Sequence, residues 1–266
     1  MGRRLGQHFL NRKSTLNHIA ESACGERTPL VIEIGAGRGA LTESLLERAD
    51  KVVAIELDPV LIHYLRQKFR DALDAGRLIL VESDILKADL SSFIGAGGPA
   101  VIAGNLPYYI TSPILERLFA ASASWKLAVI LVQAEVAARI VAQPGCRDYG
   151  YLSVLVQAQA RAERLFEVPR TSFRPPPKVD SAVVRLEPMD AGIGDLSYFL
   201  KFAGNCFRYK RKTLRNNLAG LYDRSAVEAL IGPKDRAEAL SVAELAHLFA
   251  ALREALTTPR AVVYPT

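Results

Sequence analysis

The chain has 266 residues, a length that suits one larger domain with an appendage or two modest domains. Half of its residues are hydrophobic and 23% are charged, which is ordinary for a folded protein and argues against a disordered chain. Lys and Arg number 34 against 28 Asp and Glu, so the formal net charge of +6 permits a polyanionic partner without requiring one.

Cysteine usage and hydropathy exclude several other classes. The three cysteines, Cys24, Cys146 and Cys206, are far apart and form no CxxC pair, which argues against a disulfide framework and a structural zinc site. No apolar stretch approaches the roughly 20 residues that cross a membrane, and no apolar run follows the basic start Met1-Gly2-Arg3-Arg4. We therefore expect a soluble, cytoplasmic protein without a membrane or metal partner. The sequence suggests no obligate oligomer, so we also expect a monomer.

From about residue 30 to 187, short apolar runs alternate with longer amphipathic stretches. Continuous apolar runs bounded by turn residues are typical of strands buried on both faces, and their alternation with helices predicts a parallel sheet in an α/β fold. The predicted strands are Leu30–Ile34, Val52–Glu56, Leu78–Val81, Ala100–Ala103 and Leu127–Val132. Helical patterns between them include Ala40–Arg48 and Pro59–Leu73.

The pattern changes after Gln143. A predicted helix, Tyr149–Gln157, is followed by two further strands, Arg161–Val168 and Ser181–Leu186, which the proline-rich stretch Pro169–Pro177 joins. Two strands without an intervening helix predict an antiparallel hairpin at one edge of the sheet. The sheet would then have seven strands.

Residues 188–194 have the composition of a linker, and the remaining chain is helical in pattern. Gly and Pro punctuate four segments with helical spacing: Leu196–Phe207, Lys210–Leu218, Ser225–Leu230 and Val242–Leu256. The sequence therefore predicts two domains, an α/β domain over residues 1–187 and a small all-helical domain over residues 195–266.

A glycine-rich loop follows the first predicted strand and opens a helix. Its glycines, among them Gly35 and Gly37, allow a tight turn and let a ligand approach the backbone closely. The same letters fit the GxGxxA fingerprint of NAD or FAD sites, so this loop alone leaves the cofactor open. Glu56 ends the second strand and could accept both ribose hydroxyls of NAD or of S-adenosylmethionine. Asp84 follows the third strand, where it could accept a hydrogen bond from an adenine amino group or simply cap a turn.

The fourth strand ends in Asn105-Leu106-Pro107-Tyr108, a polar residue, any residue, Pro and an aromatic residue. Enzymes that methylate amino nitrogens of bases place this pattern at this strand end. The adenine amino group is a poor nucleophile because its lone pair is delocalised into the ring. The side-chain oxygen of Asn105 and a backbone carbonyl held by Pro107 could accept its N–H bonds, and Tyr108 could stack on the base. An isolated tetrad could also be a turn with a packed tyrosine, but its position after the glycine loop, Glu56 and Asp84 favours methyl transfer from S-adenosylmethionine.

These segments resemble the small-subunit (16S) ribosomal RNA adenine N6,N6-dimethyltransferases, the kasugamycin-sensitivity enzymes of bacteria. The resemblance covers nearly the whole chain and also rests on Gln7-His8-Phe9-Leu10, on Phe173–Val184, and on Phe207 with Arg211–Leu218. It implies a Rossmann-like, seven-stranded class I methyltransferase sheet with a helical RNA-binding domain. It also implies S-adenosyl-L-methionine as the cofactor and 16S rRNA within the 30S subunit as the partner, with two adjacent adenosines of the 3′-terminal hairpin loop each methylated twice.

The resemblance also implies roles for single residues. The implied cofactor contacts are His8, Leu10, Gly35, Gly37, Glu56, Asp84 and Asn105. The implied catalytic residues are Asn105, Pro107, Tyr108 and Phe173, with Phe173 facing Tyr108 across the target base. Some members of the family have Asn where His8 stands. Many have Asn at the position of Tyr109, and this difference argues against a polar role for Tyr109.

The densest basic run, Arg208–Arg215, is predicted to cover a helix surface and to contact RNA phosphates. The predicted RNA contacts are Arg208, Lys210, Arg211, Lys212 and Arg215, and a solvated helix face is the alternative. Arg3-Arg4 with Arg12-Lys13 are weaker candidates. Three other functions stay open at this point: a large-subunit 23S rRNA adenine N6-methyltransferase of the antibiotic-resistance type, a ribosome assembly factor without catalysis, and an NAD-dependent oxidoreductase, which leaves the tetrad unexplained.

Overall fold

A computed structural model of the protein describes residues 8–94 and 98–257. These residues form two compact units. Residues 8–94, 98–138 and 160–189 make up the first, here called the sheet unit, and residues 139–159 and 190–257 make up the second, the helical unit. The predicted contacts of Arg3, Arg4 and Gln7 lie outside the described residues.

Strands and helices follow the predicted alternation along the chain. The strands are β1 (Phe9–Leu10), β2 (Thr28–Ile34), β3 (Ala49–Glu56), β4 (Leu78–Glu82), β5 (Ala100–Asn105), β6 (Trp125–Gln133), β7 (Ala160–Val168), β8 (Phe173–Arg174) and β9 (Ser181–Pro188). The helices are α1 (Lys13–Cys24), α2 (Ala40–Leu46), α3 (Pro59–Lys68), α4 (Arg70–Asp74), α5 (Thr111–Ala120), α6 (Ala134–Ile140), α7 (Tyr151–Gln157), α8 (Leu196–Cys206), α9 (Leu214–Leu218), α10 (Arg224–Leu230) and α11 (Val242–Thr257). None of these helices combines the length and apolar character needed to cross a membrane.

Seven strands form one sheet in the order β4-β3-β2-β5-β6-β9-β7. Strands β2 to β6 are parallel, while β9 runs antiparallel to both β6 and β7. The predicted seven-stranded sheet with an antiparallel hairpin at one edge is therefore confirmed. The sequence did not predict β1 and β8, which pair with each other in a separate two-stranded sheet.

The strand order reverses between β2 and β5, the position at which open α/β sheets bind ligands. These two strands approach closely because Gly104 has no side chain. A Cβ atom at Gly104 would lie 2.6 Å from the backbone oxygen of Ile34, well inside normal contact distance. On the sheet, α1 packs against α2, β5 and β6, and it covers a core that includes Val31 and Val129.

The helical unit has its own hydrophobic core, in which Phe199, Phe202 and Leu245 are fully buried. Tyr149 and Val154 belong to this core, so the segment 139–159 packs with the C-terminal helices although two strands of the sheet follow it in the chain. This differs from the sequence prediction, which places the segment in the α/β domain. The later boundary between the units, after residue 189, falls inside the predicted linker.

Two predicted helices are shorter or broken. The predicted helix Pro59–Leu73 divides into α3 and α4, because Phe69 between them leaves helical geometry with φ −113° and ψ 30°. The predicted helix Lys210–Leu218 begins only at Leu214. The side-chain amide of Asn217 donates to the backbone oxygens of Cys206, at 2.7 Å, and Tyr209, at 3.3 Å, and so holds residues 207–212 as a loop. The basic run is thus mostly a loop, and the prediction that it covers a helix surface is wrong.

Candidate active site

A cleft opens at the carboxyl ends of β2, β3, β4 and β5, and its empty volume, including the part open to solvent, is about 870 Å³. Eight of the predicted site residues line this cleft, from segments that are distant in the sequence: His8, Gly35, Gly37, Glu56, Asp84, Asn105, Pro107 and Tyr108.

The glycine loop bends tightly along one wall of the cleft. Gly35 and Gly37 have φ of 74° and 57°, in the left-handed region that side chains disfavour. The N–H of Gly35 donates to the backbone oxygen of Ile55 at 2.8 Å, which ties the loop to β3. A Cβ atom at Gly37 would lie 3.2 Å from the ring of Phe9, so a side chain there would crowd the wall.

Glu56 holds a fixed position at the end of β3. One carboxylate oxygen accepts from the N–H of Gly37 at 2.8 Å, and the other accepts from Leu57 and Asp58 at 2.9 and 3.0 Å. The side chain is only 6% exposed. A carboxylate has about four lone-pair sites, so these three bonds leave acceptor capacity for a ligand hydroxyl.

Asp84 fits both interpretations offered by the sequence. Its Oδ1 accepts from the N–H of Leu86 at 3.0 Å, and its backbone oxygen accepts from Lys87 and Ala88, so it caps a turn. It also lines the cleft, beside the end of β4.

A second carboxylate, Glu33, lies beneath the glycine loop and was not singled out by its sequence pattern. It is 1% exposed, and the hydroxyl of Thr42 donates to its Oε2 at 2.5 Å. Burial raises the pKa of Glu33 to about 7, with a further contribution from the nearby charge of Glu56 and an opposing one from Lys68. Its signal in the sequence is an acidic residue inside the otherwise apolar strand β2.

Asn105 and Leu106 present two hydrogen-bond acceptors that nothing in the described residues satisfies. The side-chain nitrogen of Asn105 donates to the backbone oxygen of His8 at 3.1 Å, which leaves Oδ1 without a protein donor. The N–H of Leu106 donates to Leu131, but no described group donates to its carbonyl. Both residues line the cleft.

Pro107 and Tyr108 complete this part of the wall. The carbonyl of Pro107 accepts from the N–H of Ile110 at 3.2 Å and from the hydroxyl of Thr111 at 3.3 Å, so the turn already uses it. The carbonyl beside Pro107 that accepts from no described group is that of Leu106, whose carbonyl carbon is bonded to the ring nitrogen of Pro107. The Tyr108 hydroxyl lies 2.7 Å from the hydroxyl of Ser181, and burial raises the pKa of Tyr108.

Leu10 and Phe173 differ from their predicted placement. Both side chains are buried in the core of the sheet unit, 5% and 1% exposed, and neither lines the cleft. The cause is the antiparallel pairing of β1 with β8, in which Leu10 lies opposite Phe173. A base sandwiched between Tyr108 and Phe173 would require β8 to move.

Comparison with known proteins adds a family to this geometry. Residues 2–254 match the sequence profile described as ribosomal RNA adenine dimethylase. The chain belongs to this family. No group of three or more His, Cys, Asp or Glu side chains within residues 8–94 and 98–257 could hold a metal ion.

Relatives of this dimethylase align over almost its full length. A protein of Koribacter versatilis is 42% identical over 271 residues, covering 94% of each chain. One of Acidobacterium capsulatum is 41% identical over 260 residues, covering 94% of this chain and 91% of the relative. Both are named ribosomal RNA small subunit methyltransferase A.

Two solved structures share the fold of this dimethylase over most of the chain. A dimethyladenosine transferase from Plasmodium falciparum superposes with a TM-score of 0.77 at 26% identity, covering 93% of this chain and 98% of the other. The 23S rRNA methyltransferase ErmE superposes with a TM-score of 0.67 at 29% identity, covering 92% and 99%. The predicted class I methyltransferase fold is thereby confirmed.

The basic loop of this dimethylase, residues 207–212, exposes Arg208, Lys210, Arg211 and Lys212. Lys210 donates to the backbone oxygen of Arg147 at 3.1 Å, and Arg208 lies over the ring of Tyr209. Arg215 differs from its predicted role as an RNA contact, because its guanidinium donates to the backbone oxygens of Ile231, at 2.6 Å, and Glu228, at 2.9 Å. These two carbonyls lie at the C-terminal end of α10, where backbone oxygens lack partners within the helix.

Proposed function

We propose that the protein transfers methyl groups from S-adenosyl-L-methionine to N6 of two adjacent adenosines in the 3′-terminal hairpin loop of 16S rRNA, on the small ribosomal subunit during assembly. The observation that carries this proposal is the adjacent pair of acceptors without donors, Asn105 Oδ1 and the Leu106 carbonyl. An unmodified amino group offers two N–H donors, one for each. The choice of small-subunit rRNA is supported by the names of the relatives at about 41% identity.

The cleft fits S-adenosylmethionine. The glycine loop provides a cradle that a Cβ atom at Gly37 would fill, and the free acceptor capacity of Glu56 suits the ribose hydroxyls. Asp84 would accept from the adenine amino group of the cofactor. When bound, the cofactor supplies an electrophilic methyl group on a sulfonium ion, so the protein has only to hold and orient the base.

The tetrad would make the adenine nitrogen nucleophilic. Its N–H bonds to Asn105 Oδ1 and to the Leu106 carbonyl draw the hydrogens out of the ring plane, which frees the lone pair for attack. Tyr108 provides a stacking surface, which is worth roughly 1–3 kcal/mol per base, and the bond to Ser181 keeps its ring in place. For each methyl that it gains, N6 would form a C–N bond in place of the C–S bond of the bound cofactor and would release one proton to solvent.

The second transfer differs from the first in one respect. A monomethylated N6 retains a single N–H, so it can satisfy only one of the two acceptors. We expect the loss of either acceptor to affect the two transfers unequally.

RNA would be held in part by the basic loop of the helical unit. Its exposed cations, Arg208, Lys210, Arg211 and Lys212, can each approach a phosphate. Unstacking a loop adenosine costs less than unstacking a paired one, so these contacts have little energy to offset.

The test uses purified protein, cofactor and small subunits that lack the modification, with isolated large subunits in parallel. We expect dimethyladenosine at two adjacent positions near the 3′ end of 16S rRNA by mass mapping. Asn105→Ala should lower the single-turnover rate by about 100-fold or more, as loss of one transition-state hydrogen bond does in other enzymes. Asn205→Ala, a half-buried asparagine of the helical unit without a side-chain hydrogen bond to the described residues, is the matched control. Methylation confined to large subunits, or normal activity of Asn105→Ala, would overturn the proposal.

A further inference from the structure

The segment from His8 to Asn11 contacts three parts of the sheet unit, two of which line the cleft. The His8 carbonyl accepts from the Asn105 side chain, in the tetrad. The ring of Phe9 packs beside Gly37 and beneath the guanidinium of Arg38, in the glycine loop. The N–H of Asn11 donates to Ser172 at 3.0 Å, next to β8. This segment therefore contacts the glycine loop, the tetrad and the proline-rich loop formed by residues 169–177.

The contact between His8 and Asn105 selects one orientation of the Asn105 amide. A carbonyl oxygen can only accept, so the amide must direct its NH₂ group toward the His8 oxygen. Because the amide is planar, its Oδ1 is then fixed on the opposite side. Without this bond the amide could turn over and present donors to the donors of an adenine amino group, which would repel the base.

His8 is itself held by the proline-rich loop. Its ring Nδ1 lies 2.8 Å from the backbone oxygen of Pro175, and since that oxygen only accepts, Nδ1 carries the hydrogen. The ring is nearly parallel to that of Tyr108, with centroids 6.1 Å apart and planes at 24°. His8, whose carbonyl contacts Asn105, is therefore tethered by a hydrogen bond from its own ring to a loop that is 167 residues away in the chain.

We propose that His8 is a positioning residue for methyl transfer, whose Nδ1–H bond to Pro175 places the His8 carbonyl so that it orients the Asn105 amide. This role is separate from contact with the cofactor, and it rests on the proposed function. The proline-rich loop would thus help to orient Asn105 Oδ1, although none of residues 169–178 lines the cleft.

Three substitutions of His8 distinguish the contribution of the Nδ1–H donor from that of the rest of the ring. In His8→Asn an amide N–H stands at the same distance along the side chain as Nδ1, so the donor to Pro175 is retained. His8→Leu places a methyl group there, and His8→Asp places an acceptor that Pro175 repels. All three keep the backbone carbonyl, and all three lose the ring.

The experiment measures two quantities for each variant on unmethylated small subunits: the dissociation constant for the cofactor by calorimetry, and the single-turnover rate at saturating cofactor. We expect His8→Leu and His8→Asp to lose about tenfold in rate, the equivalent of one ordinary hydrogen bond, and His8→Asn to stay within about threefold of the unmodified protein.

Two results would overturn the inference. If saturating cofactor restores the rate of His8→Leu, the residue acts through cofactor affinity alone. If His8→Asn loses as much rate as His8→Leu, the ring matters and the donor does not. Failure of the proposed function looks different, because the unmodified protein would then show no methylation of small subunits.

Discussion

Replacing Glu33 with Gln should change how the stability of the protein depends on pH. The carboxyl of Glu33 is buried beneath the glycine loop, and burial raises its pKa from 4.5 to about 7. Below the lower value both the folded and the unfolded chain hold the proton, so Glu33 adds no pH dependence. Between the two values the unfolded chain releases the proton while the folded chain keeps it, so the free energy of unfolding falls as the pH rises.

The size of this effect follows from the shift. Each pKa unit corresponds to about 1.36 kcal/mol, so the full shift lowers the free energy of unfolding by at most about 3 kcal/mol. Above the folded-state pKa both states are ionised and the loss stays constant. Glu33→Gln keeps an oxygen that can accept from Thr42 but cannot ionise, and its stability should not include this loss.

Urea unfolding of both proteins from about pH 4.5 to about pH 8 measures the difference. We expect the difference in the free energy of unfolding, Glu33→Gln minus the unmodified protein, to increase as the pH rises. The increase should approach about 3 kcal/mol. Glu47→Gln, which removes an exposed carboxylate after α2, controls for the loss of a charge as such. If the free energies of unfolding of the unmodified protein and of Glu33→Gln differ by the same amount at every pH in this range, the reasoning is refuted.

Two further predictions concern the sheet and the basic loop. Gly104→Ala should destabilise the protein by about 1–3 kcal/mol in urea unfolding, because the new methyl group would clash with the Ile34 oxygen. Gly150→Ala is the control and should not destabilise the protein, because the space around Gly150 is open. Equal stability of the two variants would contradict the close approach of β2 and β5. Replacing Arg211 and Lys212 together with Gln should weaken RNA binding and reduce its salt dependence by roughly 0.7–0.9 in log–log slope for each phosphate that is no longer neutralised. Fluorescence anisotropy with a hairpin RNA at several salt concentrations measures the affinity and its salt dependence, and Lys51→Gln is the control. An unchanged slope would argue against phosphate binding by this loop.

Much of the sheet was predictable because its central strands are apolar on both faces. Val31, Ile32, Val101 and Ile102 are all fully buried, and such runs leave few alternatives to a parallel strand. The two-stranded sheet of β1 and β8 left no such signal, since each strand has two residues and the pairing depends on parts of the chain that are far apart.

The sequence predicted the residues of the site whose chemical type indicates their role. It did not predict side-chain orientations that depend on strand register or on where a helix ends. Glu56 and Asn105 end their strands and Asp84 lies just after β4, and these strand ends meet at one edge, so the convergence of the three residues follows from the fold. The inward orientation of Phe173 depends on which residue it faces in β1. The use of Arg215 at the end of α10 depends on where that helix stops, and the free carbonyl of Leu106 depends on backbone hydrogen bonds that the sequence does not record.

The route of the chain between the two units restricts how the protein can be taken apart. The polypeptide leaves the sheet unit after residue 138, builds one helix of the helical unit, returns for β7 to β9, and leaves again after residue 189. A single cut cannot separate the units, because deleting the residues after 189 would strip Tyr149 and Val154 of the core that covers them. Grafting the helical unit onto another methyltransferase would therefore require two junctions, with residues 139–159 transferred as an insert together with the C-terminal helices.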